Sequence, residues 1–406
     1  MARPLKILFA SPEVQPFAKT GGLADVAGAL PPALKALGHD VRVILPKHRS
    51  VLAANTPIAP LGLEVEALIG TAKKKGFLYR GALAEAVPAY LLENDGYFLR
   101  NHLYGTRAGD YPDNAERFIF FCQALLETCL ALRFIPDIIH LNDWPTGLVP
   151  VYLKTRFKDA FENTKTVFSI HNLGYQGNFP PHALTLSGLP ASLFHPEGME
   201  FYGQFSFMKT ALMFSDLLTT VSPSYRKEIQ TPAFGFGMDG VLRTRAHDLH
   251  GVLNGADYDR WDPARDPWIA AAYGPNNLKG KDTCRKYLER HFVLDVAPRR
   301  PLVSMITRLN RQKGLDLAMQ VMDDLLETGA GFVLLGQGED RFEDYFRHLN
   351  SHPRAGVSIG FDEALAHRIL AGSDILFMPS GYEPCGLTQM YAMKYGTVPL
   401  VRSVGG

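Results

Sequence analysis

Short runs of apolar and β-branched residues recur along the chain, each followed by a polar, glycine-bearing loop and then by a helical pattern. The first set is strand Lys6–Ala10, a loop, a helical pattern over Leu23–Leu37, and strand Val41–Leu45. This order of strand, helix and strand is typical of a parallel, doubly wound sheet. Pro31-Pro32 predicts that the helix is broken into two pieces, and Gly38 predicts its end.

The alternation continues over 406 residues, which is enough for two domains of ordinary size. The first half adds a long helical pattern and buried strands at Asn114–Leu132, Ile135–Leu141, Thr166–Ile170, Leu217–Val221 and Leu249–Leu253. The second half has strands and helical patterns at Leu302–Ile306, Leu315–Glu327, Phe332–Leu335, Val357–Ile359, Glu363–Ala371, Ile375–Met378 and Val398–Val401. The sequence therefore predicts an α/β fold of two Rossmann-like, doubly wound parallel-sheet domains that face a cleft.

A stretch without periodicity, Asp257–Pro275, is rich in Asp, Pro and Trp. We therefore predict an N-terminal domain at residues 1–257, a hinge at residues 258–275 and a C-terminal domain at residues 276–406. The chain ends directly after a predicted strand, where a doubly wound domain continues through a Gly turn into a helix. We expect that the C-terminal domain is truncated. In the first domain, Lys73-Lys74-Lys75 is interpreted as a solvated turn.

Composition argues against several classes of function. With 42 basic and 41 acidic residues the net charge is +1, so nucleic acid and membranes are not expected as partners. The four cysteines are scattered and form no C-x-x-C pair, which argues against a disulfide framework or a zinc site. The sequence shows no apolar run of the length of a signal peptide core or a membrane span, so we expect a cytoplasmic protein.

Polar clusters follow predicted strands of the first domain, at the sheet edge where parallel sheets bind ligands. Lys19-Thr20-Gly21-Gly22-Leu23 places glycines and a lysine before a helix, which suits an anion but is a weak signal alone and lacks Walker A spacing. Asn142-Asp143-Trp144 and His171–Gly177 follow two consecutive strands. The alternative is local: Asp143 would cap the next helix, and His171 would form local hydrogen bonds.

The second domain has two further clusters. Thr307–Gly314 places Arg308 and Lys313 just before a helix, which suits a phosphate-bearing leaving group or, alternatively, a solvated basic turn. Pro379–Gln389 places Glu383 beside a Gly turn and a new helix. This carboxylate could bind sugar hydroxyls, or it could be a first-turn charge that the helix dipole favours.

Together these segments resemble the ADP-glucose-type glycogen and starch synthases, glycosyltransferase family 5. The shared motifs stand in the family's order at Lys19–Leu23, Gly28–Pro31, His140–Trp144, His171–Gly177, Thr219–Ser222, Asn254–Asp257, Arg308–Lys313 and Pro379–Gln389. The resemblance covers almost the whole chain, and Glu383–Gln389 is highly specific. It implies the GT-B architecture and a retaining glucosyltransferase that elongates an α-1,4-glucan, such as glycogen, at its non-reducing end from ADP-glucose.

The resemblance also implies a set of site residues. The catalytic ones are Glu383, His171, Asp143, Arg308 and Lys313, and the donor-binding ones are Lys19, Glu13, Gly22, Asp25, Asn254, Phe361, Leu387 and Thr388. Arg308 and Lys313 would hold the diphosphate. Asp143 and His171 would face the transferred glucose, and Glu383 would contact its hydroxyls and stabilise the positive charge that develops on the sugar.

The same resemblance implies roles for three further residues. Phe361 would stack on adenine, and the helix N-terminus at Leu387 and Thr388 would offer backbone N–H groups to phosphate.

The sequence departs from the family pattern in three places. Pro145 stands where a His is common, and Phe361 stands where Tyr is frequent. The family continues past Gly406 into a helix that helps bind the diphosphate and a later helix that returns to the first domain.

No side chain is an obvious nucleophile for double displacement, so we expect front-side attack within an ion pair, with a leaving-group oxygen taking the acceptor proton. Asp257-Tyr258-Asp259 has the D-x-D form of metal-dependent transferases, but Asp257 fits the family's own non-metal motif. Neither a metal nor a cofactor is therefore expected.

The sequence also allows several alternative functions. A UDP-glucose-using synthase, a glucan phosphorylase and a catalytically impaired glucan-binding fragment are the alternatives, although nothing in the sequence points to the pyridoxal phosphate that a phosphorylase needs. A nicotinamide dehydrogenase is disfavoured: after Gly336-Gln337-Gly338 the last glycine of the fingerprint is replaced by Arg341, so we interpret this segment as a tight turn. The expected partners are ADP-glucose and glucan, and the oligomeric state is not predicted.

Overall fold

The computed structural model describes residues 3–54 and 56–406, and the chain divides into two units, residues 1–253 and 254–406. The boundary falls before the predicted end of the N-terminal domain at residue 257, and residues 258–275 belong to the second unit. Among the helices of the described residues, none combines the length and the apolar character that a membrane crossing requires.

The strands of the first unit are β1 (Lys6–Ala10), β2 (Asp40–Pro46), β3 (Ala59–Ile69), β4 (Ala72–Ala82), β5 (Pro88–Glu93), β6 (Gly105–Thr106), β7 (Gly109–Asp110), β8 (Ile138–Asn142), β9 (Lys165–Ile170), β10 (Asn178–Phe179), β11 (Glu200–Phe201), β12 (Gln204–Ser206), β13 (Leu217–Thr220) and β14 (Leu249–Gly251). Its helices are α1 (Gly22–Ala36), α2 (Ser50–Ala53), α3 (Asp95–Phe98), α4 (Asn114–Ala131), α5 (Val149–Lys154), α6 (Ala183–Ser187), α7 (Phe207–Phe214), α8 (Pro223–Glu228) and α9 (Asp239–Thr244), with 3₁₀ turns at Ala84–Ala86, Trp144–Thr146 and Ala191–Leu193. The predicted strands and helices of this half are confirmed to within a few residues. The largest difference is that β8 begins at Ile138, because Pro136 cannot donate to a ladder.

The main sheet of the first unit has the order β14-β13-β9-β8-β1-β2-β5-β4-β3. Neighbours are parallel from β14 to β5, which confirms the prediction for the sheet centre. An antiparallel edge of β5, β4 and β3 was not predicted. The chain goes from β1 to one side and from β8 to the other, so the loops after these two strands diverge. Such a switch point is where parallel sheets bind ligands.

The central strands are apolar on both faces because helices and loops cover the sheet. Phe9 in β1 is fully buried and packs in one cluster with Val43 and Leu45 of β2 and Leu91 of β5. Such burial of apolar surface, at roughly 25 cal/mol per Å², holds the strand ends that carry the site loops in fixed positions.

Lys73-Lys74-Lys75 does not form a turn, so that prediction is wrong. The three lysines lie in β4, and the hairpin turn is at Gly70-Thr71. Lys73 Nζ lies 2.9 Å from Glu66 Oε2, and Lys75 Nζ lies 2.7 Å from Glu64 Oε1. These pairs join β4 to the neighbouring antiparallel strand β3. A run of lysines within a strand next to the sheet edge therefore has the same composition as a solvated turn.

The predicted break at Pro31-Pro32 is also wrong, because α1 is continuous through both prolines. Each proline removes one backbone donor, but the helix is held by its buried face. Both proline rings are buried, as are Ala24 and Ala27 in the preceding turns. The predicted end is confirmed, since Gly38 follows the helix with a φ of 95°.

The second unit contains β15 (Leu302–Ile306), β16 (Gly331–Gly336), β17 (Ala355–Ile359), β18 (Ile375–Met378) and β19 (Val398–Val401). Its helices are α10 (Lys279–His291), α11 (Leu315–Glu327), α12 (Asp340–Leu349), α13 (Glu363–Gly372) and α14 (Leu387–Lys394), with a 3₁₀ turn at Arg311–Lys313. The strand order is β17-β16-β15-β18-β19, with every neighbouring pair parallel. The predicted second sheet is therefore confirmed, and its switch point lies between β15 and β18.

The segment predicted as a hinge packs against α13 and α14 of the second unit. The Trp261 ring is stacked between His367 and Tyr391, with centroid distances of 3.6 and 4.2 Å. The buried carboxylate of Asp266 contacts His367 Nδ1 at 2.7 Å and accepts the Tyr395 hydroxyl. Burial pushes the pKa of Asp266 up, but the hydrogen bonds to this carboxylate outweigh it and hold the pKa below its usual range. Whether these residues act as a hinge stays a prediction.

This network predicts a pH-dependent contribution to the stability of the second unit. Because the pKa of Asp266 is depressed in the folded state, its contribution is present above the unfolded pKa of about 3.9 and is lost as the pH falls through the folded pKa. We expect Asp266→Asn to lower the free energy of unfolding by about 2–3 kcal/mol at pH 7.

The measurement is urea unfolding followed by tryptophan fluorescence in a Trp144→Phe background, in which Trp261 and Trp268 are the remaining tryptophans. The difference between the chain with Asp266 and the chain with Asn should be constant above pH 5 and shrink below about pH 4. A difference that stays constant down to pH 3 would show that Asp266 does not act through its charge.

Candidate active site

The loop after β1 is organised around one buried carboxylate, that of Glu13. Its Oε2 accepts the Thr20 N–H at 2.5 Å and the Gly21 N–H at 3.3 Å, and the Thr20 hydroxyl lies 2.8 Å from Oε1. Burial raises the pKa of Glu13, although these hydrogen bonds act in the opposite direction. Glu13, predicted to bind the donor, thus contacts the Lys19–Leu23 turn itself and fixes its shape.

The other residues predicted in this loop lie at the start of α1. Gly22 is the first residue of the helix, and Lys19 Nζ lies 2.6 Å from Asp25 Oδ1, with both side chains largely buried. A Cβ on Gly28 would approach the Gln15 carbonyl oxygen to 2.7 Å, so only glycine lets the helix pack this closely on the loop. The structure therefore brings the four residues predicted here together, and their roles toward a donor stay predictions.

Asp143 follows β8, next to β1 in the sheet. Its Oδ1 accepts the His171 N–H at 2.8 Å, which ties the loop after β8 to the loop after β9. Burial raises the pKa of Asp143 to about 7, with a smaller contribution from the charge of Glu13, while the bonds from the backbone of His171 and Asn172 act against the rise. Asp143 also has a φ of 55° with a ψ of 175°, a combination outside the left-handed region that Asp can adopt, so its backbone is strained. A strained residue with a shifted pKa at a switch point is typical of a functional site.

His171 is held in one orientation by its neighbour Asn142. The Asn142 amide nitrogen donates to the Ala10 carbonyl at 2.9 Å, so Asn142 Oδ1 faces His171 Nε2, at 2.9 Å. The ring therefore carries its proton on Nε2 and leaves Nδ1 as an acceptor. Burial lowers the pKa of His171 to about 3, so the ring is neutral at physiological pH. A neutral acceptor suits a hydroxyl group better than a phosphate.

Tyr104 joins this site and was missed from the sequence. Its hydroxyl donates to Glu13 Oε1 at 2.9 Å, and its ring packs 6.3 Å from that of Trp144. Burial and the charge of Glu13 raise the pKa of Tyr104 well above its usual value. The residue lies in a loop far along the chain from Glu13, and no local pattern marks it.

Two features shape the turn after Asp143. Pro145 is buried in the 3₁₀ turn Trp144–Thr146, and its carbonyl accepts the Cys122 thiol at 3.3 Å. Gly177 has a φ of 58°, and a Cβ on it would come within 2.3 Å of the Trp144 ring. The Trp144 ring thus packs directly on backbone of the loop that begins at His171.

In the second unit, two predicted residues that are 70 positions apart meet. Lys313 Nζ lies 2.6 Å from Glu383 Oε2, and each side chain is 15% exposed. The Ser380 hydroxyl donates to the same carboxylate oxygen at 2.9 Å. The ammonium group comes from the loop after β15 and the carboxylate from the loop after β18, so this pair lies at the switch point of the second sheet.

Backbone contacts hold these two loops at a fixed distance. Gly314 has a φ of 68°, and a Cβ on it would overlap the Pro379 carbonyl oxygen at 1.9 Å. The Gly381 N–H donates to the Gln312 carbonyl at 2.8 Å. Gly405 in turn lies against Glu383, since a Cβ on it would come within 1.6 Å of the Glu383 carbonyl oxygen. Glycine is therefore required where these segments meet.

The remaining predicted residues lie around the Lys313–Glu383 pair or on the adjoining loops. Arg308 is exposed and contacts Gln312 at 3.4 Å. Leu387 and Thr388 are the first two residues of α14, after Gly386. Asn254 forms hydrogen bonds to Cys385, while burial, the larger effect, raises the pKa of that thiol to about 11.

Phe361 lies between β17 and α13 and is 64% exposed.

The two carboxylates of the D-x-D segment form hydrogen bonds and an ion pair with nearby residues. Asp257 Oδ1 accepts the N–H groups of Asp259 and Arg260 at 3.0 and 3.3 Å, and Asp259 pairs with Arg265. Within residues 3–54 and 56–406, no group of three or more His, Cys, Asp or Glu is arranged to hold a metal ion.

Comparison with known proteins finds two matching families. Starch synthase catalytic domain matches residues 6–244, and Glycosyl transferases group 1 matches residues 288–406. Glycogen synthase of Syntrophotalea carbinolica is 49% identical over 99% of this chain and 84% of its own length. Glycogen synthase of Moorella thermoacetica is 46% identical over 100% of this chain and 82% of its own length.

Solved structures agree with these matches. The catalytic domain of starch synthase IV from Arabidopsis thaliana, bound to ADP and acarbose, has a TM-score of 0.93 and 35% identity, covering 100% of this chain and 84% of that one. Sucrose-phosphate synthase from Thermosynechococcus elongatus, with a TM-score of 0.61 and 17% identity over 98% of this chain and 82% of that one, shares the fold.

Two Rossmann-like units with polar side chains at both switch points, matched in both halves by transferase families, define a glycosyltransferase of the GT-B class. Within that class the identity to known proteins extends over the whole chain. The chain belongs to the glycogen and starch synthase family.

The environment of Asp143 predicts opposite effects of Asp143→Asn on stability and activity. Asn keeps an acceptor for the His171 N–H and has nearly the same size as Asp, so the backbone strain is the same in both chains. Because the pKa of Asp143 is raised to about 7, the folded state retains a proton that the unfolded chain loses near pH 4, so ionisation destabilises the fold as the pH rises. The variant should gain about 3–4 kcal/mol at pH 8 and nothing at pH 4, while glycosyl transfer falls about 100-fold.

The stability gain is measured by denaturant unfolding at pH 4, 6 and 8, and activity by initial rates. A gain that is equal at pH 4 and pH 8 would show that desolvation of the charge is not its cause. Retained activity would remove Asp143 from the catalytic residues.

Proposed function

We propose that the chain transfers glucose from ADP-glucose to the non-reducing end of an α-1,4-glucan such as glycogen, with retention of configuration. The observation that carries this proposal is the contact between Lys313 and Glu383, which joins the diphosphate-binding and sugar-binding motifs of the family at one switch point. The identity to glycogen synthases and the likeness to a starch synthase with bound ADP support it.

The chemistry follows from where charge develops. When the bond to the diphosphate breaks, negative charge grows on the leaving group and positive charge on the sugar. Lys313, and Arg308 from the same loop, would stabilise the leaving group, and Glu383 would stabilise the sugar cation. Neutral His171, through Nδ1, and the Asp143 carboxylate would orient the hydroxyl groups of the transferred glucose. We propose front-side attack, in which a leaving-group oxygen accepts the proton of the acceptor hydroxyl.

This mechanism calls for neither a metal nor an organic cofactor, since cationic side chains neutralise the diphosphate. Asp257 and Asp259, the D-x-D pair, are engaged with the backbone and with Arg265, which supports a structural role for them. We further propose that the protein acts in the cytoplasm, where ADP-glucose would be made, and that nucleic acid and membranes are not among its partners.

The direct test is incorporation of radiolabelled glucose from ADP-glucose into glycogen, with UDP-glucose in a parallel reaction and excess chelator in a third. We expect incorporation from ADP-glucose that the chelator leaves unchanged, into product that an α-1,4-specific amylase degrades. If the protein prefers UDP-glucose, the proposed donor, ADP-glucose, is wrong. Glycogen binding without incorporation would support the glucan-binding alternative, and phosphate-dependent release of glucose 1-phosphate would support a phosphorylase.

Charge removal at the second switch point tests the roles of the two cations. We expect Lys313→Ala and Arg308→Ala each to lower kcat/KM for ADP-glucose by about 100-fold or more. Lys313→Ala should be the more severe, because it also leaves the partly buried Glu383 without its cation. Lys286→Ala and Arg290→Ala, which remove exposed cations of α10, are matched controls. Turnover of the Lys313 or Arg308 variant within a few-fold of normal would refute the assignment.

A further inference from the structure

Two aromatic residues of the first unit occupy backbone conformations that aromatic residues rarely adopt. Tyr202 has a φ of 46° and is 82% exposed, and Phe236 has a φ of 48° and is 40% exposed. Left-handed backbone favours Gly and Asn and strains a bulky residue. Burial does not compensate for this strain at Tyr202, because most of its side chain faces solvent.

The turn that carries Tyr202 makes the choice of residue more unusual. Tyr202-Gly203 is the two-residue connection of the β11–β12 hairpin, and Gly203 has a φ of 77°. Positive φ at both positions defines a type I′ turn, which strongly favours Asn-Gly or Asp-Gly. A tyrosine at the first position therefore opposes the local preference of the chain.

The two aromatic turns lie side by side. A Cβ on Gly237, next to Phe236, would come within 3.2 Å of both the Tyr202 and the Phe201 ring. Gly237 has a φ of 82°, so this position has neither the space nor the conformation for a side chain. Tyr202 and Phe236 are both exposed and lie on these adjoining turns, and we call the pair the aromatic platform.

The aromatic platform adjoins the candidate active site through the His171–Gly177 loop. Gln176 Nε2 donates to the Phe236 carbonyl at 3.1 Å. Tyr175, one residue earlier in that loop, is 46% exposed. The loop that begins with His171 thus continues to the platform within the first unit.

The surroundings of the platform favour a neutral ligand. The Glu200 carboxylate accepts the Gly203 N–H at 2.6 Å, and Asp239 pairs with Arg243 at 2.6 Å. The nearby amide groups of Gln176 and Asn178 are neutral and hydrogen-bond to each other at 2.9 Å. Exposed aromatic faces, which are electron-rich, pack against the C–H faces of pyranose rings, and neutral amides suit hydroxyl groups.

We propose that the aromatic platform of Tyr202 and Phe236 binds the glucan chain, as a subsite for sugar units other than the one that reacts. This inference rests on the proposed function, because the glucan is the acceptor of that reaction. In this proposal the aromatic rings contact the glucan and the backbone does not. The backbone strain at the two residues is retained because it accompanies these rings.

The test uses Tyr202→Asn and Phe236→Asn in the full chain, singly and together. Asn is favoured at the first position of the Tyr202 turn and adopts positive φ more readily than Phe at position 236, so the variants should be at least as stable as the parent chain. Native electrophoresis in gels with and without glycogen measures binding independently of transfer. We expect each variant to bind glycogen about three- to tenfold more weakly, with a rise in KM for glycogen relative to KM for ADP-glucose.

Two control variants distinguish the effect of losing the aromatic ring from the effect of changing a residue with positive φ. Tyr202→Phe keeps the ring and should retain glycogen binding. Val293→Asn changes another exposed residue with positive φ, at 54°, in the second unit, and should leave glycogen binding unchanged.

Unchanged glycogen mobility and KM in the Tyr202→Asn, Phe236→Asn double variant would overturn the inference, even if the parent chain transfers glucose. Altered self-association without altered glycogen binding would overturn it in favour of a contact between copies of the chain. If the parent chain transfers no glucose, the proposed function fails. Slower migration in the gel with glycogen still tests whether the aromatic platform binds glucan.

Discussion

In each unit, the arrangement of the predicted site residues depends on the switch point of that unit's own parallel sheet. In the first unit the loops after the neighbouring strands β1 and β8 diverge, and in the second the loops after β15 and β18 do so. Because adjacent strands lie about 5 Å apart, residues distant in sequence come within contact distance at these points. Asp143 and the Glu13 loop meet at the first switch point, and Lys313 and Glu383 at the second.

Charged groups at both switch points are held by partners within the protein. Glu13 accepts from the loop backbone, Lys19 pairs with Asp25, and Lys313 pairs with Glu383. Oriented charges of this kind do not need to rearrange when a transition state forms, which is the basis of electrostatic catalysis. Burial outweighs the hydrogen bonds of Asp143, as it does those of Glu13, and raises the pKa of Asp143 to about 7.

Periodicity predicted most of the fold, since buried parallel strands are recognisable as apolar runs and α11 and β15 were placed without error. It missed the β3–β4 hairpin, where Lys73–Lys75 resembles a turn, and the continuity of α1 through Pro31-Pro32, where tertiary packing overrides a local preference. The site residues came from motifs, which predict neighbours in sequence well. Tyr104 contacts Glu13 only through the tertiary fold, so no motif could reveal it.

The turn at Lys19–Leu23 is built around the carboxyl group of Glu13, a partner that the chain supplies itself. The conformational entropy of this turn is therefore lost once, when the polypeptide folds, and not again in each catalytic cycle. A loop that became ordered only on ligand binding would make association slower and weaker. Here the shape precedes the ligand, so substitution of Glu13 would affect the rate of encounter even if Glu13 never contacts the substrate.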